Sequence, residues 1–228
     1  MPSAEYAHIC TSIPASSLTS LQTAIEKAFS YGSDYVEVRF DYLDMRDIDK
    51  LKPILKRYAD RCIYTCRRTE EGGRFQGDEE ARSKVLKKLA EQNPAFIDIE
   101  LSTVKEKPDL AGSLRSGGSS LIVSWHNFSE TPSREVLKSV QEDALGFGDV
   151  AKIVTFAKRF EDNASILSLY RSAGEGRLIA FCMGELGVVS RVVCALIGSP
   201  LTYASLENDQ TAPGQISVKE LKEFYAAL

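Results

Sequence analysis

Residues 34–41 read DYVEVRFD, an unbroken alternation in which Val36, Val38 and Phe40 fall in one phase and Glu37, Arg39 and Asp41 in the other. Successive side chains of a strand leave on opposite faces, so the first set forms an apolar face and the second a charged one. If helices cover the apolar face, the charged face points into an interior, where an unpaired charge is costly. This stretch alone leaves two possibilities open: an internal ion pair that satisfies itself, or a polar ligand site.

Seven further runs of strand length flank it: HICTSI (8–13), RCIYTCR (61–67), AFIDIEL (95–101), SSLIVSW (119–125), VAKIVTFA (150–157), RLIAFCM (177–183) and PLTYASL (200–206). Between them lie stretches such as SLTSLQTAIEKAFS, DEEARSKVLKKLAEQ, SREVLKSVQEDAL and VVSRVVCALIG, whose apolar residues recur at three and four. Thr131-Pro132-Ser133 places a proline near a first turn, and Ser217 with Glu220 three residues on forms a capping-box pattern. The fourth crossover, LSTVKEKPDLAGSLRSGG, is poor in helical pattern and predicts a short or irregular helix.

Strand followed by helix, repeated, gives parallel strands with right-handed crossovers, and eight repeats close a barrel. The expected fold is therefore α/β, a (β/α)8 TIM barrel in a single domain over residues 1–228. An open doubly wound sheet is the alternative, but no Gly-x-Gly-x-x-Gly follows the first strand and no P-loop occurs.

At 228 residues and 43% hydrophobic content the chain can bury one sizeable core. A net charge of −4, with Lys and Arg scattered among acids, supplies no basic face, so nucleic acid is not an expected partner. No apolar run reaches the roughly 18 to 20 residues of a spanning helix, and the N-terminus lacks signal-peptide character; a cytoplasmic protein is expected. Four of the five cysteines lie in apolar runs, which reads as reduced, buried thiols, and Cys62 and Cys66 have no second pair with which to bind zinc.

The charged alternation recurs on other strands. AFIDIEL places Asp98 and Glu100 together, RCIYTCR ends on Arg67, and VAKIVTFA carries Lys152 between apolar neighbours. Ionisable groups from several strands are better explained by a polar site at the C-terminal mouth of the barrel than by unrelated ion pairs.

Only two histidines exist. His8 opens its strand, at the end of a barrel associated with stability, whereas His126 directly follows SLIVSW at the end associated with chemistry. His126 is either an ordinary loop histidine or the group that moves protons near neutral pH. Lys152 is either at a solvated edge or buried; if buried beside Arg39, Arg67 or Arg191, it would become the neutral amine that attacks a ketone. Lys158 lies past the strand's end and is expected at the surface. EEGGRFQGD after Arg67 and LENDQTAPGQIS after the eighth strand are ordinary turns or, at the mouth, a flap and a lid in which Gly72, Gly73 and Gly214 allow positive φ.

Taken together, these residues resemble the type I 3-dehydroquinate dehydratases of the shikimate pathway along the whole chain. The resemblance rests on Glu37-x-Arg39, Arg67-x-x-x-Glu71-Gly72-Gly73, Asp98-x-Glu100, Ser124-x-His126-x-Phe128 with Thr131-Pro132, Lys152, Met183-x₇-Arg191 and Ala212-Pro213-Gly214-Gln215. It implies a lyase in which Lys152 forms an imine with the ketone of 3-dehydroquinate and His126 is general acid/base, oriented and tuned by Glu71 and Asp98. It also implies a carboxylate clamp at Arg191 and substrate contacts from Glu37, Arg39, Arg67 and Gln215. Ser12 matches a family serine loosely, and Thr211 stands where some relatives have serine. No metal or other cofactor is implied, and a monofunctional homodimer is expected. A class I aldolase on the same barrel, or a barrel that binds a quinate-like acid without turning it over, are the rival readings.

Overall fold

The computed structural model describes residues 7–14, 17–43, 48–115, 117–206 and 213–228. The strands are β1 (His8–Ile13), β2 (Tyr35–Arg39), β3 (Cys62–Thr65), β4 (Phe96–Glu100), β5 (Ser120–Asn127), β6 (Val150–Phe156), β7 (Leu178–Met183) and β8 (Leu201–Ala204). Around them run α1 (Leu18–Ser30), α2 (Ile48–Tyr58), α3 (Glu79–Ala90), α4 (Leu101–Glu106), α5 (Pro108–Leu114), α6 (Arg134–Phe147), α7 (Asp162–Leu167), α8 (Val188–Val193) and α9 (Val218–Ala226). Parallel ladders join the strands in the order β7-β6-β5-β4-β3-β2-β1-β8, a nearly closed (β/α)8 barrel.

Side-chain parity produces the layering. Val36, Val38 and Phe40, with Ile97, Ile99, Ala151 and Ile153, pack in one apolar cluster with the helix residues Leu21, Ile25, Leu55 and Leu86. The opposite parity of the same sheet fills the barrel with Cys10, Ile63, Ile122, Val150, Ile179 and Leu201. Two residues further along, the inward positions become Ser12, Thr65, Ser124 and Lys152, so the interior changes from apolar to polar toward the C-terminal ends of the strands.

Local signals account for the helix starts. The Ser217 hydroxyl accepts from Glu220 N–H while the Glu220 side chain accepts from Ser217 N–H, as the capping-box pattern predicts. Ser133 caps α6, so Pro132 lies one residue before the cap rather than in the first turn. The fourth crossover is two short helices separated at Lys107, with Pro108 opening the second.

At the seam between β7 and β8, side chains replace ladder bonds. Tyr170 Oη accepts from Ala180 N–H and donates to Ala180 O, Ser190 Oγ accepts from Cys182 N–H, and Gln215 Nε2 donates to Ala204 O. Buried backbone groups without partners would otherwise cost stability. Phe181 and Tyr203 meet across the same seam with ring centroids 6.2 Å apart. All five cysteines are free and buried, and among the described residues no helix is long and apolar enough to cross a membrane.

Candidate active site

The inward polar residues surround a concave cavity in which apolar side chains and a few convergent polar groups meet, the kind of lining that small-molecule sites have. Lys152, His126, Glu71, Arg191, Glu37, Arg39, Arg67, Ser12 and Gln215 all line it, and Asp98 lies beneath them. Thr211 falls outside the described residues. His8 sits at the far end of the barrel, largely exposed against Asp34 and Tyr35, and Lys158 is exposed beside Glu130.

Lys152 is 5% exposed, which excludes a solvated edge position. Its Nζ donates to Glu37 Oε1 and Asp98 Oδ2, each at 3.2 Å. The expected arginines line the same cavity, but the direct partners of the amine are carboxylates delivered by β2 and β4: Arg67 takes the other oxygen of Asp98, and Arg39 is turned to Asp41. Arg39 makes a two-pronged bond to Asp41 at 2.9 and 2.7 Å. Arg67 donates to Asp98 at 2.7 Å and to the Ser124 hydroxyl, and lies 3.3 Å from Glu100. Burial raises the Glu37 carboxyl, but the charges of Lys152 and Arg39 outweigh it and bring the group down to about 2. Asp98 is likewise held well below the usual carboxylate range by Arg67 and Lys152 against the opposing effect of burial.

His126 is the penultimate residue of β5, which runs two residues further than the apolar pattern indicated and pairs His126 with Val154. Glu71 Oε2 lies 3.2 Å from its Nδ1, and the ring stacks on Phe128 at 5.9 Å. A carboxylate can only accept, so Nδ1 carries the proton and Nε2 is the basic nitrogen. Burial, reinforced by the charges of Arg67 and Lys152, holds the imidazole well below its ordinary value of 6.5. Asp98, expected beside this histidine, instead bonds Lys152, Arg67 and Ser124; it reaches His126 only through its field. Burial raises the Glu71 carboxyl, and its second oxygen accepts from the Ser102 hydroxyl at 3.2 Å.

The flap is tied at both ends by one carboxylate. Asp41 accepts from Arg67 N–H at 3.2 Å and from Arg74 N–H at 3.0 Å, bracketing the turn that presents Glu71. Gly72 has φ of 77° and lies under the Phe128 ring, and Gly214 has φ of 70° against the Gly184 carbonyl. Gly73 is not in the positive-φ region, contrary to expectation. It is needed because a Cβ there would overlap the carbonyl of Arg67.

Arg191 is the one cavity-lining arginine without an ion pair among the described residues. It is 1% exposed, lies 4.3 Å over the Phe181 ring, and its Nε and Nη2 are buried with no hydrogen-bond partner. Burial lowers it to about 10. A buried guanidinium with unused donors is a ready site for a carboxylate.

Three contributors escaped sequence reasoning. Arg82 of α3 is fully buried, pairing with Glu100 at 2.7 Å and donating to Cys66 O and Thr103 Oγ1. Its place on the apolar stripe with Leu86 and Leu89 was the available signal. Asp41 was visible only as part of a charged face, and Tyr203 shared the inward phase of PLTYASL but looked like core.

Comparison with known proteins agrees with this geometry. Residues 9–228 match the family model of Type I 3-dehydroquinase. A 3-dehydroquinate dehydratase from Dehalococcoides mccartyi is 36% identical over 215 residues, 92% of this chain and 93% of that one. Another from Pyrobaculum aerophilum is 41% identical over 207 residues, 90% of this chain, and this chain spans 65% of that relative's length. The crystal structure of 3-dehydroquinate dehydratase from Geobacillus kaustophilus superposes with a TM-score of 0.89 at 24% identity, covering 98% of this chain and 91% of that one. The chain belongs to the Type I 3-dehydroquinase family of hydro-lyases.

Proposed function

We propose that this chain dehydrates 3-dehydroquinate to 3-dehydroshikimate, a step of the shikimate pathway, through an imine on Lys152 with His126 as the general acid/base. The observation that carries the reading is that one cavity brings together a buried amine, an imidazole held by a carboxylate, and an arginine that has no ion pair among the described residues. No resident metal or other cofactor is needed, since the protonated imine is itself an electron sink.

The substrate carboxylate takes the unused donors of Arg191, which places the ring ketone toward Lys152. Glu37 and Asp98 are within reach to accept the proton that Nζ sheds before attack. The amine adds to the ketone, the shed proton returns to the former ketone oxygen, and that oxygen leaves as water to give the protonated imine. His126, neutral at pH 7, removes a proton from the adjacent carbon and then protonates the departing hydroxyl. Hydrolysis of the imine returns Lys152. Glu71 fixes the tautomer, Asp98 positions the amine, and Ser12, Glu37, Arg39, Arg67 and Gln215 shape the cavity around the ring.

The test is to incubate the enzyme with 3-dehydroquinate and borohydride, digest it, and search for the reduced adduct. Adduct mass on Lys152 is expected, and its absence overturns the mechanism. Trapping with a keto-sugar phosphate instead indicates an aldolase, and no adduct with either indicates a binder. His126→Ala is expected to form the imine while losing about 10² to 10⁴-fold in turnover.

We also propose a cytoplasmic homodimer, in keeping with the family resemblance. The last helix, α9, spends Val218, Leu221 and Tyr225 inside the fold and exposes Phe224. Light scattering of the purified protein measures the state directly.

A further inference from the structure

Lys152 Nζ has a third neighbour besides its two carboxylates. It lies 4.0 Å from the centroid of the Tyr203 ring, which reaches it from β8, and the ring is braced from behind by Phe181 of β7. Tyr203 is 3% exposed and its hydroxyl is buried with no hydrogen-bond partner. What meets Nζ is the face of the ring, not this hydroxyl.

We propose that the face of Tyr203 is a wall for the positive charge of the imine nitrogen, which makes Tyr203 a further catalytic residue. This rests on the reading of Lys152 as the imine-forming amine. In imine formation the ammonium R–NH3⁺ and the ketone C=O give R–NH⁺=C and one water, so the charge stays on the same nitrogen while its hydrogens fall from three to one. An ammonium can serve Glu37 and Asp98 together. A protonated imine has a single N–H and must release one of them. Attraction to an aromatic face needs no hydrogen, so it carries over from ammonium to protonated imine. Because it acts on ammonium and protonated imine alike, the wall leaves the balance between them unchanged; what it opposes is loss of the charge, so it keeps the imine in the protonated form that borohydride reduces.

Position 203 is replaced by phenylalanine and by phenylalanines bearing one, two and three ring fluorines, which keep the shape and progressively drain the negative face. The readout is the initial rate at which borohydride traps 3-dehydroquinate on Lys152, followed by intact mass. We expect a stepwise fall of about 10-fold across the series, with Tyr203→Leu at or below its lowest member. Equal trapping rates across the four isosteric rings overturn the proposal and leave Tyr203 as filler, whatever Tyr203→Leu does. The two readings fail separately: absence of any Lys152 adduct in the unsubstituted enzyme removes the imine itself, whereas an adduct with a flat fluorine series removes only the wall.

Discussion

The guanidinium of Arg191 lies over the ring of Phe181, its central carbon 4.3 Å from the ring centroid, and among the described residues no carboxylate meets it. A cation buried this way lowers the stability of the free enzyme and waits for an anion. Arg191→Met is therefore expected to raise the melting temperature while lowering kcat/KM by roughly 10² to 10⁴, the worth of two charge-assisted hydrogen bonds. Thermal melts and steady-state kinetics check the pair of effects. A lower melting temperature with unchanged kinetics would make Arg191 a structural residue.

His126 sets a pH dependence whose sign follows from burial. Its folded-state value lies well below 6.5, so near that pH the unfolded chain takes up a proton that the folded one refuses. Stability from this group is complete above about pH 6.5 and declines as pH falls from there toward the lowered folded-state value. Between pH 7.5 and 5.5 we expect a loss of about 1 kcal/mol, largely abolished in His126→Asn and read from urea midpoints. An equal loss in both proteins excludes the histidine as its source.

Arg82 never touches the cavity yet anchors a run of charges from α3 inward: Arg82 to Glu100, Glu100 to Arg67, Arg67 to Asp98, Asp98 to Lys152. Arg82→Met strands Glu100 beside a single remaining arginine and is expected to cost about 3 to 5 kcal/mol. In a Glu100→Gln background the same change should cost about half as much, because the stranded charge is gone. Equal costs in the two backgrounds would show that Arg82 acts through its bonds to Cys66 O, Thr103 and Glu79 rather than through Glu100.

Glycine at 73 is dictated by the Arg67 carbonyl rather than by φ. Gly73→Ala is expected to displace the flap that carries Glu71, and to lower kcat by about 10 to 100-fold through loss of the His126 contact. Gly112, inside α5 with open space around its Cα, is the control: Gly112→Ala should stabilise by about 0.5 to 1 kcal/mol. Kinetics and melts of the two variants, measured together, separate the steric demand from the general cost of glycine.

Much of the site was legible because strand parity is local. Alternation in residues 34–41 showed that Glu37 and Arg39 face inward, and the same reasoning placed Asp98 and Lys152. Position along a strand separated His126 from His8. Parity could not name partners. Lys152 meets Glu37 and Asp98 because β2 and β4 arrive at its level on the barrel wall, and nothing in 150–157 records that stagger. The resemblance gave Asp98 to His126, whereas its bonds go to Lys152 and Arg67 and it reaches the imidazole through its charge, and the apolar run stopped β5 short of the histidine it carries.

What residues 34–41 and their counterparts determined by themselves was direction: which side chains enter the barrel, and that the entering ones are charged, since the two-residue period follows from chain geometry alone. Only the tertiary structure decided company. It paired Arg39 and Arg67 with acids, left Arg191 without one among the described residues, and set the Tyr203 ring against Lys152 across the interior. Those outcomes depend on how the sheet is staggered and where it closes, and every strand contributes to that at once.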